Sequence, residues 1–196
     1  MQHDNRLIVA LDFPNLEQAK NCVLELGDTV SHYKVGMELY YAVGSEIIRF
    51  LKEQNKQVFL DLKLQDIPNT VAHALTVLSD LGADMMNVHS VGGKKMMSEA
   101  VKAVREAAEK AGKPAPKLIA VTILTSMDDE QFGDLNYKNT IAEQVIALAK
   151  LAKEAQLTEK YEALYNGEVI NTGEKRLVLH QLTRGQLGED VIADGI

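Results

Sequence analysis

Short apolar runs alternate along this chain with longer stretches whose apolar residues recur every three or four positions. The first run, residues 7–11 (LIVAL), has the length of a buried strand and ends at Asp12. Pro14 and Asn15 then open a helix with apolar positions at Leu16, Ala19, Val23 and Leu26, closed by Gly27. Residues 33–35 form a second, weaker strand candidate that carries Lys34 and precedes Gly36. Gly44 and Ser45 lead into a helix whose apolar face is Ile47, Ile48 and Leu51. Residues 57–62 read as the third strand, and 69–81 as the helix after it, closed by Gly82. The fourth strand, 84–88 (DMMNV), ends at His89, and Gly92 and Gly93 lead from it into a long helix. That helix ends near Gly112, ahead of Pro114 and Pro116. The clearest strand, 118–124 (LIAVTIL), ends at Thr125 and Ser126. An acidic loop over 127–135 and a helix from about 139 to 155 follow.

Strand followed by helix, five times over, predicts an α/β fold with a parallel sheet covered by helices. Two architectures satisfy that pattern, an open doubly wound sheet and a closed (β/α)8 barrel. A dinucleotide-type sheet carries a glycine fingerprint after its first strand, and here that position reads DFPNLE. Each strand candidate instead carries or ends on polar groups: Asp12, Lys34, Asp61 with Lys63, His89, and Thr125. In a barrel the C-terminal strand ends converge on one mouth, where catalysis sits, so the pattern favours the barrel.

Composition narrows the setting. With 196 residues, 46% of them hydrophobic, the chain suits a single domain over 1–196, and no linker or low-complexity stretch divides it. The net charge of −7 argues against a nucleic-acid partner. Cys22 is the single cysteine, which excludes a disulfide framework and a cysteine metal site. The N-terminal MQHDNRLIVA lacks a signal-peptide apolar region and no run reaches membrane-spanning length, so a cytoplasmic placement is expected.

The chemistry concentrates in QVFLDLKLQDIPNT, residues 57–70. An apolar strand start meets Asp61, Lys63 and Asp66 within six residues. In a strand Asp61 and Lys63 project from the same face. A buried charge is costly alone, whereas alternating acid, base and acid neutralise one another. Taken as charge pattern only, the segment fits either a surface salt bridge at a strand end or a preorganised array that delivers a proton from a lysine.

The motif DLKLQDIPNT resembles the signature of the orotidine 5′-phosphate decarboxylase family, and neighbouring segments agree in order. These are ALDF with Asp12, YKVGMEL with Lys34, NVHSVGG with His89, and LIAVTILTSM with Thr125. The Asp, Lys, Asp pattern is shared with related barrel enzymes acting on sugar phosphates; the continuation through Ile67, Pro68, Asn69 and Thr70 points to the orotidylate enzyme. The resemblance implies a cofactor-independent and metal-free decarboxylation of orotidine 5′-phosphate to uridine 5′-phosphate, a step of pyrimidine biosynthesis. Lys63 then protonates C6 of the pyrimidine, and Asp61 lies beside the substrate carboxylate. Asp66 reaches the neighbouring subunit's site in a homodimer. Asp12 and Lys34 hold the ribose hydroxyls, Thr125 contacts the pyrimidine, and Ile67 to Thr70 join the substrate-binding set. No HExxH, CxxC or P-loop motif points to another chemistry.

The resemblance covers residues 1 to about 155, and 157–196 depart from it. At about 25 residues or more per βα unit, that tail has room for one unit and part of another, where a barrel requires three. The Thr-Pro-Gly-Ile-Arg and Val-Gly-Arg segments by which the family grips phosphate do not occur, and Arg184 with Gly185 is only a faint echo. Of the tail, residues 176–182 alone look strand-like. A frameshifted, truncated or rearranged C-terminus accounts for the change, and it keeps open a catalytically impaired, dimerising barrel fragment beside the decarboxylase. A sugar-phosphate decarboxylase or aldolase of the same superfamily is the third reading. Elsewhere, His89 is expected to be a hydrogen-bonded residue at a strand end, and Gly92 with Gly93 could cradle a phosphate. Met85, Met86, Met96 and Met97 are expected to fill the core. His3, His32, His73 and His180 show no ligand spacing.

Overall fold

The structure, a computed structural model, describes residues 7–157 and three further short strands between residues 163 and 180. Six strands form one parallel sheet: β1 Leu7–Ala10, β2 His32–Gly36, β3 Gln57–Leu64, β4 Met85–His89, β5 Lys117–Val121 and β8 Val178–His180. The sheet order is β5-β4-β3-β2-β1-β8. From β1 to β5 each strand pairs with its predecessor in sequence, and the chain returns through helices α1 Leu16–Leu26, α2 Met37–Val43, α3 Glu46–Glu53, α4 Pro68–Asp80 and α5 Gly93–Ala111. A doubly wound sheet reverses its strand order at a switch point, and no reversal occurs between β1 and β5. Consecutive parallel strands with helical crossovers are the winding of a (β/α)8 barrel. After β5 come α6 Asp129–Gly133 and α7 Ile141–Glu154, then an antiparallel pair, β6 Ala163–Tyr165 with β7 Glu168–Ile170.

Local chemistry explains the helix limits. The Asn15 side chain accepts the Gln18 N–H at 3.0 Å and starts α1, and Gly27, at φ +49°, ends it. Pro68 occupies the first turn of α4, where a missing N–H costs nothing. Thr140 and Glu143 form a capping box at the head of α7.

Residue parity divides the sheet into two faces. Val9, Leu11, Tyr33, Val35, Val58, Leu60, Leu62, Met86, Val88 and Leu118 point to the helices and join Ala19, Val23, Leu39, Ile47, Ile48, Leu51, Val71, Leu75, Met96, Met97 and Val101 in the main core. The opposite face, the interior side of a barrel sheet, holds a smaller layer of Ile8, Phe59, Met85 and Ile119. Above that layer, toward the C-terminal strand ends, the same face turns polar. All four methionines expected in the core are buried.

Several boundaries differ from the sequence reading. Strand β3 runs on to Leu64, because Asp61 and Lys63 neutralise each other and the strand need not stop at the first charge. Strand β5 stops at Val121 rather than at residue 124, and residues 122–127 form a turn with Thr125 exposed. Helix α2 follows Gly36 directly, and α6 lies inside the stretch expected to be an acidic loop, its head capped by Asp128. The strand expected over 176–182 is described only as Val178–His180, and it pairs in parallel with β1, Leu7 opposite Val178. His3 and Arg184 lie outside the described residues. No helix among the described residues is long and apolar enough to cross a membrane.

Candidate active site at the strand ends

Parallel register brings the charges together. Ala10 lies opposite Lys34, and the Leu11 N–H donates to the Lys34 carbonyl at 2.9 Å, which sets Asp12 beside the end of β2. Lys34 lies opposite Phe59 and Gly36 opposite Asp61, so Lys34 and Asp61 share a face two positions apart. The result is a chain of four groups, Asp12 from the loop after β1, Lys34 from β2, and Asp61 and Lys63 from β3. Lys34 Nζ stands 3.2 Å from Asp12 Oδ1 and 3.4 Å from Asp61 Oδ2, and Lys63 Nζ donates to Asp61 Oδ1 at 2.7 Å. Two ammonium groups and two carboxylates cancel in formal charge, which is how partly buried ions avoid an uncompensated desolvation cost. Gly36 is the floor beside them. A Cβ there would lie 3.3 Å from Lys34 Nζ and 3.4 Å from Asp12 Oδ1, so any side chain would crowd the pair.

Asn87, an amide buried in the apolar strand MMNVH, completes the network. Its Nδ2 donates to Asp61 Oδ1 at 2.6 Å and its Oδ1 accepts the Lys63 N–H at 2.7 Å. Lys63 itself adopts φ +51°, left-handed backbone that costs a non-glycine residue about 1–2 kcal/mol. The β3–β4 register slips at this point, from Leu60 opposite Met86 to Leu64 opposite Val88. Burial on its own would push the Asp61 carboxyl up. Hydrogen bonds from Lys63 and Asn87, with the charges of Lys63 and Lys34, outweigh burial and hold it below its ordinary value.

His89 ends β4 half-buried and is paired with Val121 of β5. Burial lowers its pKa, the Lys63 charge lowers it further, and Asp61 offsets part of the effect. Ser90, wholly buried, donates from Oγ to the Val121 carbonyl at 2.8 Å and ties the loop after β4 to the end of β5. Gly92 serves packing, since a Cβ at that position would collide with the Met96 side chain.

Of the residues singled out in the sequence, Asp12, Lys34, Asp61 and Lys63 come together. Asp66 lies beyond the end of β3, exposed, and its carboxylate accepts the N–H of its neighbour Ile67 at 2.6 Å. Ile67 is two-thirds exposed, Pro68, Asn69 and Thr70 form the first turn of α4, and Thr125 sits on its turn. Among the described residues, no hydrogen bond or ion pair joins these to the array. Asn87 was not anticipated; the available signal was an amide in the middle of an apolar strand, which must find partners when buried. Among the described residues no group of three or more His, Cys, Asp or Glu is arranged to hold a metal ion. A groove of about 400 Å3 between α5 and α7, lined by Arg105, Glu106, Glu154 and Gln156 among others, touches none of the site residues.

The winding of the sheet and the acid–base chain at its C-terminal strand ends define an α/β protein of the (β/α)8 barrel class. The model of the orotidine 5′-phosphate decarboxylase / HUMPS family matches residues 5–169, and the chain belongs to that family. It is 50% identical over 152 residues to orotidine 5′-phosphate decarboxylase of Carboxydothermus hydrogenoformans, covering 78% of this chain and 63% of the relative. A crystal structure of orotidine 5′-phosphate decarboxylase from Lactobacillus acidophilus superimposes with a TM-score of 0.73 at 43% identity, over 79% of this chain and 69% of that one. The enzyme from Methanocaldococcus jannaschii, solved with the inhibitor BMP, gives 0.60 at 30% identity, over 77% of this chain and 64% of that one. The chain thus spans less than two thirds of the length of the first curated relatives it matches.

Proposed function

We propose that this chain carries the reacting centre of a cofactor-independent decarboxylase that converts orotidine 5′-phosphate to uridine 5′-phosphate. The observation that carries this reading is the ion chain Asp12–Lys34–Asp61–Lys63, with Lys63 Nζ 2.7 Å from Asp61 and both at the mouth end of β3. As the bond from C6 to the substrate carboxylate breaks, carbon dioxide leaves and the electron pair stays on C6. Lys63 Nζ–H supplies the proton that forms the new C6–H bond, and the neutral amine regains a proton from water. An ammonium fixed by Asp61 provides charge stabilisation where the carbanion develops, and the proton follows with no rearrangement. In this reading Asp61 faces the substrate carboxylate, and Lys34 with Asp12 offers donor and acceptor to the ribose hydroxyls. In this reading Thr125 contacts the pyrimidine, and binding energy from the phosphate drives distortion at the ring.

The exposure of Asp66 and Ile67 at the start of α4 supports a second part of the reading. Asp66 completes the site of a partner copy in a homodimer rather than its own.

The family description spans the orotidylate enzyme and its HUMPS relatives, so substrate choice decides the reading. Purified protein is expected to consume orotidine 5′-phosphate, followed by the loss of orotidylate absorbance, and to leave sugar phosphates unchanged. Turnover of a sugar phosphate without orotidylate turnover would reassign the site to the related chemistry.

A further inference from the structure

We propose that Asn87 is a positioning residue that sets both ends of the Asp61–Lys63 pair from the neighbouring strand. This rests on the reading of Lys63 as proton donor. Three observations lead to it. First, the amide is buried at 3% exposure within an otherwise apolar strand, where an amide with no partner would be costly. Second, its two functional atoms serve the two reacting residues separately, Nδ2 on the Asp61 carboxylate at 2.6 Å and Oδ1 on the Lys63 backbone N–H at 2.7 Å. Third, that N–H lies in the stretch where the β3–β4 register slips, between Leu60 opposite Met86 and Leu64 opposite Val88. The Asn87 side chain accepts the N–H there, and so fixes the left-handed turn at Lys63 that aims its ammonium back toward Asp61.

The two bonds act together. Asp61 Oδ1 receives Lys63 Nζ and Asn87 Nδ2, so the carboxylate is held from two sides and its remaining oxygen is left for Lys34. An asparagine is needed because the task requires a donor and an acceptor on one short, planar group. Aspartate would supply only acceptors, and leucine, of similar volume, neither.

The test compares the parent with Asn87→Leu and Asn87→Asp in the full chain. Carbon-13 NMR of the Asp61 carboxyl follows its titration with no need for turnover, so this arm stands even if the substrate assignment fails. Both variants are expected to move the Asp61 midpoint to higher pH, Leu by loss of a donor and Asp by adding a like charge. On orotidine 5′-phosphate, kcat should fall about 10- to 100-fold, as a misplaced reacting group does, while KM changes far less. The acid limb of the rate profile should move with the Asp61 midpoint. An unmoved midpoint in the folded variants would overturn the proposal, as would activity falling only in proportion to the folded fraction. If Asn87→Leu does not fold, Asn87→Asp, which keeps an acceptor for the Lys63 N–H, decides the matter by the same titration.

Discussion

Lys34 and Asp61 stand on adjacent strands with 3.4 Å between Nζ and Oδ2, and the same ammonium reaches Asp12, just past the end of β1, at 3.2 Å. That bridge exists because Gly36, opposite Asp61 in the register, leaves room for the lysine to lie across it.

Gly36→Ala should therefore disturb the site more than the fold. Gly36 has ordinary extended backbone that alanine can adopt, so the melting temperature should change little. The new Cβ at 3.3 Å from Lys34 Nζ forces the ammonium to shift by tenths of an ångström. A loss of about three- to tenfold in kcat/KM is expected, since misplacement by a full ångström costs about a hundredfold. Unchanged kinetics would show that the Lys34 position is not needed.

Stability should fall on acidification, and the sign follows from three groups. His32 and His89 have pKa values lowered by burial, with Lys117 and Lys63 respectively adding to the effect. The unfolded chain therefore binds protons first as pH drops below their ordinary 6.5, and folding loses stability there. Despite its burial, the Asp61 carboxyl is held down by Lys63 and Asn87; its contribution is present above the ordinary carboxylate value and is lost as pH falls through the folded one. Melting temperatures measured from pH 8 to 4 should decline steadily below about pH 6.5. In Lys63→Ala the part due to Asp61 should shrink, since only Asn87 and Lys34 then oppose its burial.

The strand-and-helix alternation and most of the array were legible in the sequence. Strand parity predicts Asp61 and Lys63 on one face, where the left-handed turn at Lys63 brings its ammonium to Asp61, and the expected convergence of Asp12, Lys34 and Asp61 is what parallel register produces. Helix α2 was missed because MELYYAV begins directly at Gly36, with no polar turn to separate it from β2. Asn87 was missed because its partners lie on another strand, and single-residue spacing within DMMNV carries no trace of them. The end of β5 was overrun because 122–124 keep the apolar pattern after sheet pairing has ceased, with Ile123 joining a separate cluster under α6 and α7.

Asp66 tests the assembly. If it completes a partner's site, Lys63→Ala and Asp66→Asn are each inactive alone, yet mixed dimers carry one site free of both substitutions. Co-refolding the two variants should restore part of the parent activity, about a quarter for random pairing into two-site dimers with independent sites. No recovery after subunit exchange has been confirmed by mass would remove Asp66 from the shared site.

Residues 157–196 hold no Thr-Pro-Gly-Ile-Arg or Val-Gly-Arg segment, so these residues are expected to supply no strong phosphate contact. A lost charge-assisted contact of that kind costs about 1.5–3 kcal/mol. Uridine 5′-monophosphate is thus expected to raise the melting temperature scarcely more than uridine does. A rise of several degrees with the nucleotide alone would show that the tail supplies a phosphate site.

Lys63 is the centre of the account, and single-turnover decarboxylation of orotidine 5′-phosphate by the parent and by Lys63→Ala tests it most directly. The parent should release carbon dioxide and form uridine 5′-phosphate above the uncatalysed rate, and the variant, folded by circular dichroism, should lose nearly all of that. Retention of turnover within about tenfold, a barrier change near 1.4 kcal/mol, would contradict the assignment of Lys63 as the proton donor.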